Sequence, residues 1–181
     1  MINSGHKSGS ATARVLHGLL ILAMGVLFLV IIIMLIGAAM MLFPNGWREA
    51  LFEQITQGGA AVPSGAKLAS AFAASAIIAT AYFWVVKILH KVVKTLLAGD
   101  PFIPDNISRL RLMWILLAAT ELFRMVMHTA TSVQDLVESV GEASSMIDIR
   151  FGTWFLVFII AALAEVFRHG AELRRDAELT V

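Results

Sequence analysis

The chain has 181 residues, of which 59% are hydrophobic and 15% charged, with a formal net charge of +1 and no cysteine. Its apolar residues gather in long unbroken runs that need lipid around them, which excludes an ordinary water-soluble globule. The missing cysteines exclude disulfide-braced loops, thiolate metal sites and catalytic thiols, and the near-neutral charge gives no case for nucleic acid as a direct partner.

The first apolar run covers residues 15–42 and is interrupted only by His17 and a few glycines. That exceeds the roughly 20 residues that cross about 30 Å of hydrocarbon. Lys7 and Arg14 precede it as basic residues precede the core of a secretory signal, but such a core has only about 7–15 residues, so an uncleaved helix is expected. In the following loop, residues 44–66, the spacing of Trp47, Leu51, Phe52 and Ile55 predicts a short helix on the membrane surface, with Trp47 at the interface.

A second helix is predicted over residues 67–97. It carries no charge over 68–86 and then places Lys87, Lys91 and Lys94 at i, i+4, i+7 on one face, at headgroup depth. Gly99 should stop it, while Pro104 and Asp105 suit the first turn of the next helix, where a missing N–H and a negative charge are both tolerated. So short a connection predicts antiparallel packing and a tight hairpin. The third helix is predicted over 108–133 and the fourth over 151–168, close to the minimum for a crossing. Between them lie Asp135, Glu138, Glu142 and Asp148. Val133, Leu136, Val137 and Val140 keep a helical period there, so the third helix extends as an amphipathic stretch.

The expected fold class is therefore an all-α integral membrane protein, a bundle of four transmembrane helices forming a single membrane domain over 1–181. Lys7, Arg14, Lys87, Lys91, Lys94, Arg109, Arg111, Arg168, Arg174 and Arg175 fall on one side, against Arg48, Lys67 and Arg150 on the other. Basic residues favour the cytoplasmic side, which places both termini and the hairpin between helices two and three in the cytoplasm. No repeat relates the halves, so an inverted-repeat transporter is not indicated.

Glu121, Arg124 and His128, spaced i, i+3, i+7, lie within about 60° of one another on the third helix. Trp114 and Leu117 continue this polar stripe inward and Asp135 continues it outward, so it should face the bundle or a water-filled cavity. One reading is a proton, ion or ligand site in which Glu121, near mid-crossing, titrates beside Arg124. The other is a self-satisfied pair that holds helices together, with Arg124 reaching outward and His128 at the interface. Glu165, with Arg168 and His169 one turn on, reads as a buried acid clamping helix four to the hairpin at Arg109 and Arg111, the alternative being a role in transport or signalling.

Of the histidines, only His17 and His90 share a depth that could hold a haem, and neither a cofactor nor a metal is expected. No nucleophile elbow, phosphate loop, HExxH or paired-cysteine motif is present, so nothing asks for an enzyme.

The segment Ala98-Gly99-Asp100-Pro101-Phe102-Ile103-Pro104-Asp105-Asn106, followed by Arg109-Leu110-Arg111, resembles the "GDPF.P.N...L" hairpin of a bacterial membrane family, domain of unknown function 2975. The closing Leu163-Ala164-Glu165-Val166-Phe167-Arg168-His169-Gly170 and Glu178-Leu179-Thr180-Val181 are similar to that family's "LAEVFRRG...ELTV", with His169 where arginine is usual. The resemblance implies that the whole chain is one such domain: a four-helix protein of the bacterial inner membrane, often encoded beside a small helix-turn-helix regulator. It implies no activity and assigns no role to Glu121, Arg124 or His128.

Both matching segments fall at the cytoplasmic surface, which suggests a docking surface. Phe102 would be its anchor, with Asp100, Pro101, Asn106, Arg109, Arg111, Glu165 and Arg168 around it; alternatively, Phe102 packs between helices within a self-contained hairpin. The function expected is a non-enzymatic membrane regulator or sensor that docks a cytoplasmic partner, a small helix-turn-helix DNA-binding protein. The rival is a small proton-coupled transporter using Glu121. The lipid bilayer is a partner in either case, and a homo-oligomer stays open.

Overall fold

The computed structural model describes residues 5–43, 46, 64–99, 102–138 and 148–179, with side chains described over 14–43, 46, 64–99, 102–132 and 148–176. Among these the chain is all α: α1 (Gly5–Leu42), α2 (Gly65–Leu97), α3 (Pro104–Glu138) and α4 (Phe151–Leu179). The helices are longer than the apolar pattern predicts, because their ends run on through polar residues that continue the backbone ladder without needing lipid. The surface helix expected at Trp47, Leu51, Phe52 and Ile55 lies outside the described residues.

Three stretches are long and apolar enough to cross a membrane: Arg14–Leu42, Gly65–Leu97 and Phe151–Asp176. The remaining helix, α3, carries Arg109, Arg111, Glu121 and Arg124 along its length, so its passage through a bilayer depends on how those charges are satisfied.

Local chemistry sets the helix ends. Ser64 caps α2, its Oγ accepting from the Lys67 N–H at 3.2 Å and its carbonyl from the Leu68 N–H at 3.1 Å. At the other end Gly99 takes φ +84°, a left-handed conformation that glycine adopts without a Cβ penalty, and its N–H donates to the Leu96 carbonyl at 3.1 Å. Pro104 then opens α3, with Asp105 in its first turn. Hydroxyls along the helices fold back onto the preceding turn, as Thr120 Oγ1 does onto the Leu116 carbonyl at 2.7 Å, so they add no unmet donor to an apolar setting.

The chain divides into two compact units, Met1–Gly25 with Ala81–Val181, and Val26–Thr80. In the second, Gly37 of α1 lies against the Phe72 ring of α2. A Cβ built at residue 37 would stand 2.9 Å from two ring carbons, so only glycine admits this approach.

In the first unit α3 packs along α4. Leu110, Met113 and Leu117 of α3 meet Val157, Ile160 and Ala164 of α4, both sets spaced i, i+3, i+7, and Val85 and Ile88 of α2 complete the core. Outward from this seam Leu112, Ile115, Leu122 and Val126 of α3, and Phe155, Phe158 and Val166 of α4, remain exposed. Large apolar side chains turned outward on every side suit lipid, not water.

Candidate functional site

The α3 seam that carries Leu110, Met113 and Leu117 continues to Glu121 and then Arg124, so the helical period itself puts a carboxylate in the core. Glu121 is 1% exposed. Its Oε1 accepts from Arg124 Nε at 3.1 Å and from Nη2 at 2.6 Å. Arg124 also donates through Nη1 to Asp148 Oδ2 and through Nη2 to the Asp148 carbonyl, both at 2.7 Å. One guanidinium thus ties α3 to the segment that enters α4, and Arg150 stands 3.9 Å from the same Asp148 oxygen.

The second Glu121 oxygen, Oε2, is buried without a hydrogen-bond partner among the described residues, as is His128 Nδ1. A carboxylate with one oxygen in an ionic fork and the other bare can accept a proton or a polar group of a ligand. The structure joins Glu121 and Arg124 of the predicted stripe to each other. It adds Asp148, whose role in the cluster no spacing rule reveals because it comes from 24 residues further along the chain. The side chain of Asp135 lies outside those described.

The second site is the hairpin between α2 and α3. Phe102 is 37% exposed, and its ring packs on Phe167 of α4 with centroids 5.4 Å apart at 51°. It also covers Gly170, where a Cβ would come within 2.7 Å of two of its ring carbons. Phe102 is therefore at once a packing residue between hairpin and α4 and a half-open surface. Of the other residues expected at a docking surface, Asp100 and Pro101 lie outside the described residues, whereas Arg111 is exposed.

Asn106 is not at the surface, as expected of a docking residue, but fully buried. Its Nδ2 donates to Thr95 Oγ1 at 2.7 Å and its Oδ1 accepts from Arg109 Nη1 at 3.0 Å, so it staples α3 to α2. Arg109 is held further by Asp105 at 3.3 Å.

Glu165 is not the buried acid that its sequence surroundings suggest. It is 54% exposed and pairs within its own helix, to Arg168 and, at 3.3 Å, to His169. Arg168 reaches Glu172 as well, at 2.8 Å. The physical reason is spacing: partners at i+3 and i+4 share one helix face with Glu165 and meet it without help from another helix. Arg111, Glu165 and Arg168, with Ile107, Trp114 and two alanines of α4, line a cavity of about 210 Å³ between α3 and α4.

His17 and His90 do meet, with ring centroids 4.6 Å apart and planes tilted by 41°. Rings this close leave no space for a porphyrin between them. Among the described residues no three acidic or histidine side chains converge as metal ligands.

The hairpin and the α4 residues it touches are the segments that carry the family likeness. The model of the family described as protein of unknown function (DUF2975) matches residues 53–181, more than two thirds of the chain. The chain belongs to the DUF2975 family. No curated protein and no solved structure matches it. In this DUF2975 protein α1 precedes the matched region. The two motif segments touch through Phe102, Phe167 and Gly170, so the ring in one occupies the space that a glycine leaves in the other. Sequence reading reached both segments but missed this contact, because it depends on the register of α3 against α4.

Proposed function

We propose that this DUF2975 protein is a non-enzymatic regulator or sensor of the bacterial inner membrane. It crosses four times, has both termini in the cytoplasm, and docks a small helix-turn-helix DNA-binding protein on its cytoplasmic face. The fourth crossing is α3, whose Glu121 charge is offset by Arg124 and whose Arg109 and Arg111 stand near its inner end. The observation that carries the reading is the convergence of the two family segments at one end of the Met1–Gly25 and Ala81–Val181 unit. There the half-exposed Phe102 packs on Phe167, the sequence neighbour of Arg168, which pairs with Glu165 and Glu172, and the exposed Arg111 lines a cavity with Glu165 and Arg168: an aromatic anchor with a charged rim. The partner class comes from the family resemblance. The positive-inside bias supports the orientation.

The test is capture of the tagged protein from gently solubilised native membranes, with mass spectrometry of what copurifies. Wild type is expected to bring down a small helix-turn-helix protein that Phe102→Ala and Arg111→Glu both lose. Because Phe102 also packs on Phe167, Arg111→Glu, at an exposed side chain, separates lost docking from lost packing. No cytoplasmic partner with wild type, or an undiminished one with both variants, would end the reading.

One observation favours a second reading, proton-coupled transport: the bare, buried Oε2 of Glu121. In proteoliposomes under an imposed pH gradient, Glu121→Gln should abolish proton flux and leave partner capture intact. Equal flux in wild type, the variant and empty vesicles would dismiss transport.

A further inference from the structure

Arg14, His17, Val93, Lys94 and Leu97 line a pocket of about 260 Å³ between the start of the α1 apolar run and the end of α2, within one compact unit. We propose that this pocket binds the phosphodiester headgroup of an anionic phospholipid. The argument is one of depth, charge and shape. Arg14 directly precedes the apolar run of α1 that starts at Val15, and Lys94 stands in the last turn of α2, three residues before that helix ends. Two cations from two helices thus meet where apolar spans give way to polar ends, which is the level of lipid phosphates.

The preference for basic residues on the cytoplasmic side explains that such residues occur at this end. It does not explain why they converge from separate helices on one concavity. Lys94 also answers the negative end of the α2 dipole, so an arriving phosphate does not face bare carbonyls. Among the described residues no acidic side chain lines the pocket. Val93 and Leu97 give it an apolar wall, which suits the glycerol and first methylenes of a lipid and would be wasted on a free anion. His17 adds a further nitrogen-bearing ring, held in place by its contact with His90 at 4.6 Å.

The experiment is native mass spectrometry of the full chain released from detergent with added phosphatidylglycerol or phosphatidylcholine. Wild type is expected to retain phosphatidylglycerol in preference. Arg14→Gln with Lys94→Gln should weaken that retention by about 30-fold, the effect of removing two basic residues from an anionic surface. Lys91→Gln, exposed on the same helix but outside the pocket, should keep it, and excess inorganic phosphate should not displace the lipid. Equal retention by the double variant, an equal loss in Lys91→Gln, or displacement by phosphate would each overturn the proposal. A photoactivatable phosphatidylglycerol provides a readout that needs no variant: labelling of wild type should map to residues 14–17 and 93–97, and labelling elsewhere alone would also overturn it.

Discussion

Arg124→Ala should destabilise the protein by about 3–5 kcal/mol, the cost of removing one partner from a buried ion pair and leaving the other charge behind. Glu121 is 1% exposed and receives two hydrogen bonds, both from Arg124. The same substitution releases Asp148, so α3 loses its tie to the segment that enters α4. For a chain of this length the expected result is a fall in melting temperature on the order of 10 °C, read in detergent by intrinsic tryptophan fluorescence. Adding Glu121→Gln to Arg124→Ala should recover much of the loss, because a neutral amide needs no counter-charge. If Arg124→Ala melts with wild type, the pair and the Asp148 tie contribute no stability. That outcome would strengthen the proton-carrying reading at the expense of the structural one.

Asn106→Leu should cost about 2–3 kcal/mol, from one neutral hydrogen bond to Thr95 and one charge-assisted bond from Arg109. Leucine keeps the branching of asparagine but is bulkier, so at this buried position some crowding adds to the lost polarity. Arg109 keeps Asp105 and some access to water, which holds the penalty below that of Arg124→Ala. The hairpin between α2 and α3 is the part expected to loosen, and limited proteolysis of the folded protein should show faster cutting there in the variant. An unchanged melting temperature and cutting rate would mean that Gly99, Pro104 and the Phe102 contact hold the hairpin without the buried amide.

These two substitutions act toward opposite ends of α3. Arg124 fastens it to the segment where α4 begins, and Asn106 staples it to α2, close in sequence to the Phe102 that packs on α4. Between them the contacts are apolar side chains at heptad-like spacing. In lipid such contacts gain little from the hydrophobic effect and depend on close packing, so polar ties at the two ends carry more weight than they would in water. This places Phe102 in two roles. Its packing on Phe167 and Gly170 ties the α2–α3 connection to α4, and its exposed part is the anchor that the proposed docking would use.

Residues that act through local spacing were legible without a structure. The apolar runs marked α1, α2 and α4 because the number of residues needed to span hydrocarbon is a property of one helix alone. Gly99, Pro104 and Asp105 marked where α2 stops and α3 starts because turn and cap chemistry is decided within a few residues, and the i, i+3 relation paired Glu121 with Arg124. The motif segments revealed the family. Tertiary structure alone decided the rest: that Asp148 completes the Arg124 cluster, that Asn106 is a buried staple instead of a surface group, that Phe102 rests on Phe167 and Gly170, and that Arg14 and Lys94 share one pocket. Each depends on the register of one helix against another, and register is set by the fit of whole seams of side chains, which no single segment of sequence contains.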